Sequence, residues 1–203
     1  MELIYNNNDV KVYCFDLSDD GWNGNKIESY LLQFPLAMQQ KINVYKNRID
    51  RQHRIIGKLM LLQLIKDFGL EKKLNLSQLQ YSRHNQPFFK SGLFFSTAYA
   101  GNKVVCAASK TKKVGIDVEA AVSIDSNDFM DFLSDKELLA IQKSSDPQKE
   151  FYKCWTKKEA LAKAVGEGVI TDFENKTEIK EKFFLFYELP IAQDYMAMLA
   201  IEK

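Results

Sequence analysis

The chain has 203 residues, of which 46% are hydrophobic and 12% aromatic, so it can bury a sizeable core. This composition excludes the disordered, collagen-like and low-complexity classes. Its 28 basic and 27 acidic residues leave a formal net charge of +1. Because nucleic-acid-binding proteins carry a basic excess, we expect no nucleic-acid partner, and any charged partner must meet a local patch.

Targeting and structural-metal patterns are missing from the sequence. Three widely spaced cysteines, Cys14, Cys106 and Cys154, favour reduced thiols over a disulfide framework. We find no signal-peptide pattern, and no window approaches the roughly 18 to 20 apolar residues of a membrane helix. With two histidines and no CxxC pair, a structural zinc site is not expected. We therefore expect a cytoplasmic protein that does not contact membranes.

Periodicity and turn residues predict, in chain order, a strand near 10–15, two helical pieces within 36–68, strands near 79–82, 93–97, 103–109 and 114–119, short helices near 126–132 and 134–143, a long helix at 147–165, and strands near 182–187 and 195–201. Ser134 and Glu137 form a capping-box pattern. Pro147 is typical of a first helical turn, and Gly166 and Gly168 should end that helix.

The order strand, long helix, strands occurs twice along the chain. This order predicts an α+β fold with two small sheets, each packed on a long helix. We place the boundary between an N-terminal half at 1–100 and a C-terminal half at 101–203. No residue-level repeat links the halves, so the order of elements alone suggests an internal duplication.

The first candidate site is the predicted strand with the sequence GIDVE at 115–119. Because alternate residues of a strand face the same way, Asp117 and Glu119 lie side by side while Ile116 and Val118 face the core. Such a pair suits a hard cation, and Mg²⁺ is held by a few carboxylates together with waters and substrate phosphates. A half-exposed strand with a polar solvent face would give the same pattern.

The second candidate site is the long helix at 147–165. One side of it carries two aromatic rings, a carboxylate and an ammonium: Tyr152, Trp155, Glu159 and Lys163. The opposite side is apolar and predicted to be buried. Such a helix either lines a cleft or carries an ordinary surface pair of Glu159 and Lys163.

The third candidate is the start of the first long helix, where Arg51 and Arg54 lie close together. These arginines either grip a phosphate or form a solvated basic face. Gly57 in the same helix costs about 1 kcal/mol relative to alanine, so we expect another backbone to pack closely there.

These segments, in this order, resemble the 4′-phosphopantetheinyl transferases of the surfactin-synthetase-activating (Sfp) type. That family carries a G-[IV]-D-[IV]-E strand and then a W-[ST]-x-K-E-[AS]-x-x-K helix, to which 115–119 and 155–163 are similar. The family's R-x-x-x-G helix resembles 54–57, and its F-[FLS]-[ST]-x-x-E segment resembles 132–137. The resemblance spans roughly residues 45 to 168.

The resemblance implies a pseudo-twofold pair of similar α/β halves with the active site in the cleft between them. It implies a monomer, because the shorter, trimeric carrier-protein synthases of the superfamily have a single half. The implied reaction is Mg²⁺-dependent transfer of 4′-phosphopantetheine from coenzyme A to a serine of an apo acyl or peptidyl carrier protein. Adenosine 3′,5′-bisphosphate would be released.

The resemblance also assigns roles to individual residues. The metal ligands would be Asp117, Glu119 and Glu159. Lys163 would stabilise the phosphates, and Glu159 is the candidate for the catalytic base, directly or through a metal-bound water, although the sequence does not decide the identity of that base. The expected coenzyme A contacts are Arg54, Lys158, Lys163, Gln86 and Tyr99, with Lys158 either a phosphate contact or a structural one.

The chain departs from the family pattern at several phosphate contacts. The usual N-[LIV]-S-H-S-G segment is replaced by 96–101, where Tyr99 replaces a histidine and Ala98 a serine. The usual G-K-P is Asn-Gln-Pro at 85–87, and the lysines after the first-half proline are absent from 36–39. We therefore predict ordinary chemistry with weaker or differently arranged binding of the coenzyme A 3′-phosphate.

Two other functions stay open on the sequence. The first is a non-catalytic paralogue that binds coenzyme A or a carrier protein without transferring a group. The second is a plain globular protein in which the acidic strand and the charged helix never meet.

A carrier partner is expected to be acidic and to meet a local basic patch at Lys110, Lys112 and Lys113, with apolar contacts near Phe129 and Phe132. The sequence does not indicate which carrier or pathway is served.

Overall fold

The computed structural model describes residues 1–18, 23–122, 133–166 and 180–203. Two antiparallel sheets pack face to face, and a long helix covers the outer face of each. The mixed helix-and-sheet class predicted from the sequence is confirmed. The short helix predicted near 126–132 and the helix-ending role of Gly168 lie outside the described residues.

The strands are β1 Glu2–Asn6, β2 Val10–Asp16, β3 Gln80–Tyr81, β4 Pro87–Phe88, β5 Phe94–Ala100, β6 Lys103–Ser109, β7 Val114–Ala120, β8 Phe184–Glu188 and β9 Tyr195–Glu202. The helices are α1 Gly24–Ser29, α2 Leu36–Asn43, α3 Arg48–Asp67, α4 Asp135–Lys143 and α5 Pro147–Val165, with 3₁₀ turns at Tyr30–Gln33 and Leu76–Gln78. The two predicted helical pieces within 36–68 correspond to α2 and α3.

The first sheet has the strand order β1-β2-β6-β5, and helix α3 lies against its outer face. Asn47 is the N-cap of helix α3, and its side chain accepts a hydrogen bond from the backbone N–H of Ile49. Apolar side chains at helical spacing, among them Ile56 and Met60, are fully buried against the sheet. Residues 80–88 add a hairpin of β3 and β4 beside this half.

The second sheet has the strand order β7-β9-β8, and helix α5 covers its outer face. Helix α5 begins and ends where the sequence predicts, with Pro147 in its first turn and Gly166 left-handed at φ 79°. Gly115 is the contact point: a Cβ there would lie 1.9 Å from the carbonyl oxygen of Ala160. The missing side chain therefore lets α5 approach the β7 backbone closely.

The space between the two sheets is one apolar core. Small and branched side chains fill it from both sides: Val12, Val105 and Ala107 from the first sheet, Ile116 and Leu199 from the second. The alternation along β7 is the predicted one, with Ile116 and Val118 in this core. Residues 115, 117 and 119 consequently face α5.

The boundary between the halves and their symmetry stay predictions. Strand β6 at Lys103–Ser109 hydrogen-bonds within the first sheet, so that sheet extends past the predicted boundary at residue 100. Sequence patterns missed β1, α1 and β4. Within the described ranges, no helix is both long and apolar enough to cross a membrane.

Candidate active site

Strand β7 and helix α5 bring the acidic motif and the charged helix together. The ammonium of Lys163 lies 2.5 Å from Oδ1 of Asp117, and Nε1 of Trp155 donates to Glu119 at 3.3 Å. The interpretation as a globular protein in which these segments never meet is therefore wrong. Tyr152 is covered as well: it is buried and donates its hydroxyl to the carbonyl of Val122 at 2.9 Å.

The carboxylates of this face lie in a poorly solvated place. Asp117 is only 4% exposed, and burial raises its pKa although the Lys163 ammonium opposes the shift. Burial and the charge of Asp117 raise the pKa of Glu119 to about 6. Burial also raises the pKa of Glu159, again opposed by Lys163. The three carboxyl groups thus share one ammonium and repel one another.

Glu159 and Lys163 line a cavity of about 490 Å³ between the two halves. Its other wall belongs to the first half of the chain and consists of residues 84–87 and 95–97. The prediction that α5 lines a cleft is confirmed, and the surface-pair alternative is wrong, since Lys163 pairs with Asp117 on β7.

The donor chemistry of this face fits a hard cation. Oδ2 of Asp117 is buried without a hydrogen-bond partner in the structure, which leaves one carboxylate oxygen available to a ligand. Glu119 lies close enough to Asp117 for the charge of that carboxylate, together with burial, to raise the pKa of Glu119. The described residues, however, hold no group of three His, Cys, Asp or Glu side chains placed to bind a metal ion. Glu159 as a third ligand stays a prediction.

A second cavity, of about 480 Å³, adjoins the first and shares Asn85, Pro87 and Thr97 with it. Arg54 and Tyr99, two predicted coenzyme A contacts, line this second cavity rather than the first. The Arg54 guanidinium stacks over the Tyr45 ring at 3.5 Å, and the His53 ring stacks on Tyr99 at 4.8 Å.

Two lysines that sequence reasoning missed also line the second cavity. Lys41 comes from α2, and its ammonium lies 3.4 Å from the centroid of the Tyr81 ring. Lys58 comes from α3, and burial, with the nearby charges of Arg54 and Lys41, lowers its pKa to about 8. No carboxylate is among the described residues that line this cavity. It is therefore a cationic and aromatic pocket.

Two predicted coenzyme A contacts are engaged elsewhere. Lys158 is 5% exposed, and its ammonium lies 2.9 Å from Glu137 on α4, which favours the structural alternative for this residue. The predicted capping box at Ser134 is confirmed, so Glu137 joins the start of α4 to α5. Gln86 lines the first cavity, but its amide donates to the backbone carbonyl of Lys163 at 2.6 Å. As ligand contacts, both residues stay predictions.

The neighbour of Gly57 differs from the expected one. A Cβ at Gly57 would lie 3.0 Å from Cγ2 of Thr97, so α3 packs there on a side chain of β5 and not on a backbone. Thr97 also lines both cavities. Gly57 therefore brings the helix that carries Arg54 close to the cleft.

Comparisons with known proteins match the segments of the chain that form this site. The family model of the 4′-phosphopantetheinyl transferase superfamily matches residues 113–189, which include β7, α5 and their charged side chains. Over these residues the chain is similar to the 4′-phosphopantetheinyl transferase superfamily. The chain is 36% identical over 86 residues to the 4′-phosphopantetheinyl transferase HetI of a Nostoc species, covering 40% of this chain and 36% of the relative.

A second relative extends the similarity into the first half. The 4′-phosphopantetheinyl transferase gsp of Aneurinibacillus migulanus is 28% identical over 153 residues, which is 71% of this chain and 63% of that protein. The chain thus spans less than two thirds of the length of each of these relatives.

Proposed function

We propose that the protein transfers 4′-phosphopantetheine from coenzyme A to a serine of an acyl or peptidyl carrier protein. The observation that carries this proposal is the meeting of Asp117 on β7 with Lys163 on α5, at a cleft that opens into a cationic pocket. In this reaction the serine oxygen attacks the phosphorus that bears pantetheine. The pyrophosphate bond then breaks, and adenosine 3′,5′-bisphosphate leaves.

The acidic end of the cleft would hold Mg²⁺. Asp117 and Glu119 are its proposed ligands, with Glu159 as the third, and the unpartnered buried oxygen of Asp117 supports this assignment. When bound, the ion would neutralise charge on the pyrophosphate. Lys163 would donate hydrogen bonds to the same phosphate oxygens and stabilise the negative charge that develops on them.

Glu159 is the proposed base for the carrier serine. It is partly buried, lines the cavity and has a raised pKa, so it can accept the hydroxyl proton as the oxygen attacks phosphorus. Its position one helical turn before Lys163 puts the base and the phosphate contact on the same wall.

The cationic pocket would take the nucleotide end of coenzyme A. Lys41, Arg54 and Lys58 supply three positive charges, and the rings of Tyr45 and Tyr99 supply apolar faces. This set would replace the family cations that the sequence lacks at residues 36–39, 86 and 99, as a differently arranged site for the 3′-phosphate.

We further propose that the protein is a monomer with pseudo-twofold related halves, and that its carrier partner is acidic. The exposed Lys110 and Lys113 lie in the connection between β6 and β7, so they remain candidates for steering. Lys113 also pairs with Glu202 at 3.5 Å. Phe129 and Phe132, the predicted apolar contacts, lie outside the described residues.

The test is incubation of the protein with a panel of apo-carrier proteins, Mg²⁺ and coenzyme A, followed by intact-mass measurement of each carrier. We expect a mass increase of one phosphopantetheine on at least one carrier, abolished by EDTA and restored by Mg²⁺. Binding of coenzyme A without any carrier modification would favour the non-catalytic paralogue. If the protein neither modified any carrier nor bound coenzyme A, that result would overturn the proposal.

A further inference from the structure

The hairpin of β3 and β4 makes a direct hydrogen bond between the first half of the chain and the helix that carries Lys163. Its turn places Gln86 against the carboxyl end of α5, where the Gln86 side-chain amide donates to the Lys163 carbonyl at 2.6 Å. The last four carbonyls of a helix have no partner within the helix. Ala162 accepts the Gly166 N–H, and Lys163 accepts the amide of Gln86. Gln86 therefore acts as part of the cap of α5, although it lies far away in the sequence.

The turn holds Gln86 in a fixed position. The Ser82 N–H donates to the Gln86 carbonyl at 2.9 Å, and the Gln86 N–H donates to the Ser82 hydroxyl at 3.2 Å. Asn85 has φ 58°, a left-handed conformation that asparagine tolerates better than most residues. Pro87 restricts the backbone on the other side. The side chain of Gln86 thus extends from a defined backbone, which lowers the entropy cost of its bond to α5.

Lys163 is consequently held at two points. Its backbone carbonyl is bound to the first half through Gln86, and its ammonium is bound to Asp117 on β7. Gln86 and Lys163 both line the 490 Å³ cavity and a smaller, largely apolar cavity of about 230 Å³ on the other side. The bond between them lies on the wall that these two cavities share.

We propose that Gln86 is a positioning residue: by capping α5 from the opposite wall of the cleft, it fixes where Lys163 stands. It acts through Lys163 and the last turn of α5, not through contact with the reacting atoms. The kinetic consequence rests on the proposed transferase function. The structural consequence, protection of the end of α5, does not depend on that function.

The test compares three variants. Gln86→Met keeps the length and bulk of the side chain but removes the donor. Gln86→Lys keeps a donor that can reach the Lys163 carbonyl. Gln80→Ala removes an exposed glutamine from β3 of the same hairpin and is the matched control.

Amide hydrogen exchange at Ala164, Val165 and Gly166 is the first measurement. We expect exchange there to speed up about 3- to 10-fold in Gln86→Met, as loss of one hydrogen bond implies. Wild-type exchange is expected in Gln86→Lys and Gln80→Ala. Unchanged exchange in Gln86→Met would overturn the proposal even if the protein transferred nothing.

Steady-state kinetics is the second measurement. A displaced Lys163 should lower kcat of Gln86→Met about 10-fold while the KM for coenzyme A changes less than about 2-fold, and Gln86→Lys should restore kcat. Faster exchange with an unchanged kcat would reduce Gln86 to a structural cap and contradict the positioning role. If Gln86→Met raised the KM for coenzyme A and left kcat unchanged, Gln86 would be a ligand contact, and the positioning role would again be overturned.

Discussion

The two ends of the cleft carry opposite charges, and each end belongs to a different half of the chain. At one end Glu159 and Lys163 line the cleft, and Asp117 and Glu119 lie beside them on β7, with Asp117 paired to Lys163. At the other end Arg54 stands with two lysines in a pocket that no described carboxylate lines. Most proteins interleave charges of both signs on their surfaces, but this cleft separates them.

This separation has a cost that a ligand of matching charge would offset. Burial raises the pKa of Glu119 and lowers that of Lys58, and repulsion from neighbouring like charges adds to both shifts. A ligand that brings a cation to the first end and phosphates to the second would relieve both strains. A magnesium-bound nucleotide ester such as coenzyme A has this distribution of charge.

The largest expected effect comes from breaking the acidic end. Asp117→Asn keeps the shape of the side chain but removes the charge of a proposed metal ligand, which is also the partner of Lys163, so turnover should fall about 100-fold or more. Carrier modification followed by mass spectrometry measures it. Glu188→Gln, an exposed carboxylate on β8, is the control and should leave turnover unchanged. An unaltered rate in Asp117→Asn would remove Asp117 from the site.

The second effect concerns how closely each long helix sits on its sheet. Gly115→Ala puts a carbon 1.9 Å from the Ala160 carbonyl oxygen, so α5 must move and the protein should lose about 2 to 3 kcal/mol of unfolding free energy. Gly57→Ala is the matched change in the first half, where the new carbon meets only a methyl group at 3.0 Å. Its cost should stay below about 1 kcal/mol, because alanine also favours the helix. Urea denaturation compares them, and equal losses would contradict the backbone contact.

The third effect comes from breaking the cationic end. Lys58→Met should raise the KM for coenzyme A about 10-fold, while the KM for dephospho-coenzyme A should change little, because only the former carries the 3′-phosphate. Lys66→Met, an exposed lysine on the same helix, is the control. If the wild-type protein has equal KM values for the two compounds, the pocket does not read the 3′-phosphate and this assignment fails.

The smallest expected effect is a pH dependence of the KM for coenzyme A, and it tests the same cationic end of the cleft. With a pKa of about 8, Lys58 is charged below pH 8 and neutral above it, so the wild-type KM for coenzyme A should rise several-fold as pH passes 8. The other titratable groups that line the pocket are Lys41, His53, Arg54, Tyr45, Tyr81 and Tyr99. Burial lowers the pKa of His53, which therefore stays neutral over this range. In Lys58→Met the rise should vanish, and its persistence would assign it to another group.

Local signals in the sequence predicted the acidic end well. The alternation in 115–119 and the glycine at its start fix which face meets α5, and Pro147 with Gly166 fixes the bounds of that helix. Strand alternation and helix ends are short-range properties, because they depend on the backbone preference of a residue and on the direction of its neighbour's side chain. The family motifs at 115–119 and 155–163 consist of residues with the same local preferences.

The cationic end and the hydrogen bond from Gln86 to Lys163 could not be predicted in the same way. Lys41 and Lys58 lie on different helices, and neither belongs to a motif that marks it as a partner of Arg54. The bond from Gln86 joins positions 77 residues apart, and a helical projection of α5 shows side chains but not its terminal carbonyls. The sequence could not decide whether Lys158 contacts a phosphate or is structural, because its partner Glu137 lies on α4 and the sequence does not show where α4 packs.

The apolar core shared by the two sheets determines how a substrate enters. Val12 and Val105 on one sheet and Ile116 on the other are fully buried between the halves, so swinging the halves apart would hydrate them at about 25 cal/mol for every Å² exposed. The packing of the two described sheets therefore opposes a hinge motion that would widen the cleft. Small molecules shaped to this cleft would meet a groove that is already formed, and little of their binding free energy would be spent on rearranging the protein.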